Sequence, residues 1–287
     1  MDAVSRATAI GALAVVLWST LALLTVLAVG VPPLQLVAMT FAIAGTVGIA
    51  ARALRSGGRT KRSVPVGAWV LGVAGLFGYH AFYFAALALA PAVEANLINY
   101  LWPLLIVLFA GLLPGQRLGA RHLVGAALGL GGCALAIGGG AGFDAAHLPG
   151  YACALGAALA WSGYSVLNRR FGEVPSDAVA GFCLVTALLA AVVHLAFETT
   201  RWPEGGAWVA VLGLGLGPVG LAFFVWDHGV KHGDLRLLGV LAYFAPVFST
   251  LWLVLAGRAE GGIALWVGCA LVVAGALVAT GLRTAGR

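Results

Sequence analysis

The chain has 287 residues, of which 62% are hydrophobic and 9% charged, and its mean hydropathy is +1.02. A soluble domain carries about 25% charged residues, so an ordinary soluble enzyme and a disordered chain are excluded. The net charge of +6 implies no nucleic-acid partner, because the basic residues are sorted by loop and form no patch.

Ten apolar runs follow in chain order: Thr8–Val29, Leu34–Ala51, Val66–Leu89, Ala92–Leu113, His122–Ile137, Gly150–Phe171, Ala178–Phe197, Ala207–Val230, Leu235–Ala256 and Gly262–Leu282. A membrane-crossing helix needs about 20 apolar residues. Lipid demands an internally satisfied backbone, and the alternation of a barrel strand is missing, so each run predicts a helix. The first run follows Arg6 yet is too long for a signal-peptide core. The expected fold is an all-α integral membrane protein with ten transmembrane helices.

Loop charges orient it. One side carries Arg6; Arg52, Arg55, Arg59, Lys61 and Arg62; Arg117 and Arg121; Arg169 and Arg170; Lys231 and Arg236; and Arg283 and Arg287. That is 14 of the 16 basic residues, leaving Arg201 and Arg258 on the other side. The positive-inside rule then places both termini in the cytoplasm of a multi-pass inner (plasma) membrane protein.

The halves repeat. A shift of 143 residues superimposes Trp18-Ser19 on Trp161-Ser162, Val31-Pro32 on Val174-Pro175, Tyr100 on Tyr243, Pro103 on Pro246, Gly125 on Gly268 and Gly132 on Gly275. Five runs fall in each half. Five is odd, so the second copy enters from the opposite face, the inverted-topology construction of secondary transporters. The expected organisation is residues 1–137 as the first five-helix repeat, 138–149 as an outer linker and 150–287 as the second repeat.

These features carry a resemblance. The paired Trp-Ser motifs, the tyrosine and proline of each fourth span and the Gly-x-x-Leu-x-x-x-Gly fifth spans resemble the drug/metabolite transporter superfamily, EamA-type. Within it, the dense aromatic content is similar to the bacterial YddG-type exporters of aromatic amino acids. Two features depart from the family pattern. Gly115-Gln116 and Ala259-Glu260 stand where Gly-Glu pairs are common, and Met39, Thr40 and Phe41 stand where many members carry an arginine. The resemblance implies a cavity lined by the first, third, fourth, sixth, eighth and ninth spans.

Substrate sites of inverted-repeat transporters lie near the bilayer centre. The central residues counted from each run are Trp18 and Ser19; Tyr79, His80 and Tyr83; Asn96, Asn99, Tyr100 and Trp102; Trp161 and Ser162; and Tyr243. These are the candidate substrate-binding residues. Tyr79, His80 and Tyr83 share one helix face, as do Asn96, Asn99, Tyr100 and Pro103. His80 suits either a structural hydrogen bond or a substrate contact. Pro103, Pro218 and Pro246 each remove a helix hydrogen bond and predict kinks. Gly125 with Gly129, and Gly213 with Gly217, predict close helix packing.

The ten acids fall in tails, loops or span ends, with Glu94 and Asp227 nearest the interior, and no lysine or arginine sits mid-span. A phosphate-bearing substrate needs such a base, and a cationic drug needs a buried acid. A neutral or zwitterionic aromatic molecule needs neither, since its ring stacks on Trp or Tyr and its amine lies over an aromatic face. A lone imidazole in apolar surroundings serves as a hydrogen-bonding group more than a charge carrier. The expectation is therefore export of aromatic, and other neutral, amino acids by uncoupled, facilitated movement. Proton-coupled efflux or exchange and lipid scrambling are the alternatives. The implied partners are a small-molecule substrate and membrane lipid. No cofactor and no metal is expected, since HExxH, GxSxG and P-loop motifs are missing. Cys133, Cys153, Cys183 and Cys269 lie in apolar runs without a CxxC pair and read as packing residues.

Overall fold

The computed structural model describes residues 1–56, 63–113, 118–137, 144–257 and 262–280. Residues 138–143 of the expected linker, Gly115-Gln116, Glu260 and the loop residues Arg59, Lys61, Arg62, Arg117, Arg258, Arg283 and Arg287 lie outside the described residues. Within them the chain is helical throughout, with no strand. The helices, in chain order, are α1 (Ala3–Ser19), α2 (Leu21–Leu27), α3 (Pro33–Ser56), α4 (Val66–Leu89), α5 (Ala92–Asn99), α6 (Trp102–Ala110), α7 (Ala120–Ile137), α8 (Leu148–Leu167), α9 (Val179–Phe197), α10 (Ala207–Leu216), α11 (Ala222–His232), α12 (Leu235–Leu241), α13 (Phe244–Leu255) and α14 (Ile263–Thr280).

Among the described residues five stretches are long and apolar enough to cross a bilayer: Ala3–Leu27, Pro33–Leu54, Val66–Leu89, Ser176–Phe197 and Ala207–His232. Their outer faces are as apolar as their inner ones. On α9, Ala180, Cys183, Ala187 and Ala190 are buried while Leu188, Val192 and Leu195 on the opposite face are exposed. A helix that is apolar all round belongs in lipid when its outer face has no protein to cover it.

The helix starts have local causes. Asp2 caps α1 by accepting from the Ser5 amide at 2.7 Å, and Asp234 caps α12 by accepting from Arg236 and Leu237. The prolines act differently from the expected mid-helix kinks. Pro103 offers no N–H to the carbonyl of Asn99, so α5 ends there and α6 restarts at Trp102 with proline in its first turn. Before Pro246, α12 stops and α13 begins after Tyr243. Around Pro218 the backbone widens into a π-helical turn over 217–221, joining α10 to α11.

Packing pairs each half with the other. α7 runs along α14, α3 along α9, α4 along α8, and α1 along α11. Gly125 faces Gly275 and Gly132 faces Gly268, so α7 and α14 are antiparallel. The second expected glycine pair does not pack closely. Gly213 and Gly217 have only loose neighbours, and Gly215 instead takes the tight contact, against Ile43.

Candidate functional site: an aromatic cage between the two halves

The broken helices converge on a cluster of rings. Trp18, near the end of α1, lies 5.5 Å from Trp161 of α8, 6.1 Å from Trp102 of α6 and 5.0 Å from Trp226 of α11, measured between centroids. Trp161 also meets Tyr79 at 5.6 Å and Phe223 at 5.6 Å. Most of these contacts are edge-to-face or tilted, the geometry that matches the electropositive edge of one ring to the electronegative face of the next.

Two of the four cage indoles, those of Trp18 and Trp226, are bonded within the protein. Trp18 Nε1 donates to the carbonyl of Pro218 at 3.0 Å, inside the π-helical turn. Trp226 Nε1 donates to Ser165 Oγ at 3.0 Å. These bonds fix the rings and leave their faces and edges to define the cage.

A polar row borders it. Tyr83 stacks on Tyr79 at 5.8 Å and donates to Asn96 Oδ1 at 2.7 Å. Asn99 Nδ2 donates to Tyr79 Oη at 3.3 Å, and the buried Asn99 Oδ1 has no partner among the described residues. His80 Nδ1 donates to the Leu76 carbonyl at 2.7 Å. The imidazole sits edge-on to Phe41 at 5.0 Å and to Tyr79 at 5.1 Å.

Of the expected site residues, Trp18, Tyr79, Trp102 and Trp161 are brought together, with His80, Tyr83, Asn96 and Asn99 alongside. Tyr100 ends α5 and is partly buried against the same core. Three others point elsewhere. Ser162 donates back to the carbonyl of Ala158 at 2.7 Å in its own helix. Ser19 donates to Val16 and accepts from Trp252 Nε1 at 3.0 Å. Tyr243 is fully buried over Gly129, in the seam with α7 and α14. Sequence reasoning omitted Phe41, Phe223 and Trp226 from the site. The last two follow Pro218 by one to two helical turns, a spacing that put them near the centre of the eighth run.

The acids need one correction. Asp227 is a span-end residue by count, yet its side chain is wholly buried and ion-paired with Lys231 at 2.8 Å. Among the described residues no cluster of ligands could hold a metal. A cavity of about 780 Å3 lies apart from the cage, between α2, α10 and the connection at Arg201–Gly206. Its walls include exposed Leu27, Val29 and Val209 beside Arg201 and Glu204 and none of the expected site residues, so the cage is the stronger candidate.

The EamA-like transporter family matches residues 6–138 and 148–281. This chain belongs to that family. An EamA-like chain is a multi-pass membrane transporter and not an enzyme, in keeping with the apolar helices above. The chain is 55% identical to the aromatic amino acid exporter YddG of Ancylobacter novellus, over 96% of this chain and 97% of that one. It is 27% identical to the exporter of the same name in Salmonella typhimurium and 26% to that of Escherichia coli, each over 95% of this chain and 96% of the relative. A solved crystal structure 54% identical in sequence superposes with a TM-score of 0.93, covering 96% of this chain and 99% of that one.

Proposed function

We propose that the protein exports aromatic amino acids, and other neutral amino acids less well, across the inner membrane by alternating access around the cage. The observation that carries this reading is the meeting of Trp18, Trp102, Trp161 and Tyr79 from both halves at one point, with the Trp18 indole held by the Pro218 carbonyl. A substrate ring competes for the same edge-to-face contacts. The buried Asn99 Oδ1 is an acceptor on offer to the substrate's ammonium group. The relative in Ancylobacter novellus, named an aromatic amino acid exporter, supports the substrate class.

The reading includes ten spans in two inverted repeats, with both termini cytoplasmic. The Gly125–Gly275 and Gly132–Gly268 contacts support it, because each is the image of the other under the 143-residue shift. Helices that are equivalent in the two halves and run antiparallel are what inversion requires. Residues 1–137 and 150–287 are then the repeats. Movement is uncoupled in this reading. Among the described residues Asp227 is the one fully buried carboxylate, and it is already engaged by Asn168, Ser176 and Lys231.

Cells overproducing the protein should tolerate a toxic phenylalanine analogue at concentrations that stop control cells, and should release labelled phenylalanine faster. Equal sensitivity and equal release, with the protein present in the membrane, would refute the proposal.

A further inference from the structure

On the side of the basic connections, one buried carboxylate ties the cage helices together. Asp227 Oδ1 accepts from Asn168 Nδ2 at 2.6 Å, and Oδ2 accepts from Ser176 Oγ at 2.6 Å and Lys231 Nζ at 2.8 Å. Lys231 also donates to the Val174 carbonyl at 3.0 Å. Asn168 follows α8, Ser176 precedes α9, and Asp227 sits next to the cage residue Trp226 on α11. The end is closed further by α1, since a Cβ on Gly11 would fall 2.8 Å from Gly229 Cα.

The repeat relation gives each of these groups an image at the opposite end. For Asp227 and Lys231 the images are Phe84 and Ala88, and for Asn168 and Ser176 they are Thr25 and Pro33. None of the four can carry charge. The packing differs in the same sense. The turn at 168–171 packs against α11, whereas α2, its image, packs on α10 and α13 and makes no such seam with α4 among the described residues. Gly11 and Gly229 have Ala154 and Ala86 as images, and the close approach at that end is made instead by Gly150, where a Cβ would fall 2.7 Å from the Leu89 carbonyl carbon. The opposite end has polar ties of its own: Glu198 accepts from the Leu34 and Gln35 amides at the start of α3, Gln35 exchanges bonds with the backbone of Arg201, and His147 bonds the Leu89 carbonyl at the end of α4.

We propose that the Asp227–Lys231 pair is the latch of the cytoplasmic gate. Its release opens the cage to the cytoplasm, and no charged pair stands at the image positions. This rests on the inverted-repeat topology proposed above. Removing one partner would strand a buried charge and report on that penalty alone, so the informative variant removes both.

The reporter is Ser165→Cys, in a background with Cys133, Cys153, Cys183 and Cys269 replaced. Ser165 is buried and accepts from the indole of Trp226, the neighbour of Asp227 in the chain. A membrane-impermeant maleimide is applied to the cytoplasmic face of inside-out vesicles. With the pair intact, labelling should be slow; in Asp227→Asn/Lys231→Met it should rise about tenfold or more as the inward-open population grows. The exchanged pair Asp227→Lys/Lys231→Asp should label slowly again, which a general loosening would not produce. Fast labelling of the intact or exchanged pair, or no acceleration in the neutral variant, overturns the latch. Should the neutral variant fail to fold, Asn168→Ala/Ser176→Ala, which loosens the same carboxylate and keeps the pair, takes its place, and labelling as slow as in the intact protein overturns the latch. Acceleration seen only with reagent on the outer face would leave the latch standing and overturn the topology instead.

Discussion

Gly125 of α7 and Gly275 of α14 approach so closely that a Cβ on either would lie 2.6 Å from the other's carbonyl oxygen. The seam between the two halves is therefore backbone against backbone. Without a hydrophobic drive between helices in lipid, close van der Waals packing of this kind holds them together.

Any side chain at Gly125 must push the seam apart. Gly125→Leu should lower the melting temperature in detergent by about 5 °C or more, since overpacking costs about 1–3 kcal/mol. Gly131→Ala, on the same helix with open space around it, should leave melting unchanged or slightly raised, because alanine is favoured in a helix by about 1 kcal/mol. Differential scanning of the two purified variants checks the contrast.

Trp161 touches more cage rings than any other predicted residue. Trp161→Phe should keep most phenylalanine transport. Trp161→Ala should reduce it about tenfold or more, as two or three ring contacts of about 0.5–1.5 kcal/mol each are lost. Initial rates in vesicles, normalised to folded protein, provide the measurement.

Ser162 and Tyr243 separate structural from transport roles. The Ser162 hydroxyl only bonds its own helix, so Ser162→Ala should transport within about twofold of the unaltered protein. Tyr243→Ala should destabilise by about 3–5 kcal/mol through the cavity left over Gly129. The protein that still folds should keep the same preference for phenylalanine over threonine. A changed preference would place Tyr243 in the substrate path.

Much of this was legible in the residues. The constant offset of 143 pairs Gly125 with Gly268 and Gly132 with Gly275, and the structure joins those same four glycines across one seam. Trp18 and Trp161 were legible for the same reason. Repeat equivalence fails at Tyr243, because Tyr100 packs on the aromatic core while Tyr243 turns into the α7–α14 seam. A one-dimensional offset carries no information about which way a side chain turns at a helix break. Asp227 was misjudged because counting from span ends measures depth along the helix, whereas burial depends on Asn168, Ser176 and Val174, more than 50 residues away in the chain. The helix breaks were read as kinks; the freed carbonyl of Ala242 is taken by the Ala245 amide at 3.0 Å, so the helix restarts instead of bending.

The central claim is that the cage binds and passes aromatic amino acids without an ion gradient. Purified protein in liposomes, loaded with unlabelled phenylalanine and given labelled phenylalanine outside, measures this directly. The account predicts equilibration with no imposed proton or sodium gradient, inhibited by excess tryptophan, weakly by threonine and not by a sugar phosphate. It also predicts loss of that uptake in Trp161→Ala. Accumulation above equilibrium that requires a gradient and collapses with an ionophore, or uptake inhibited equally by the sugar phosphate, would contradict it.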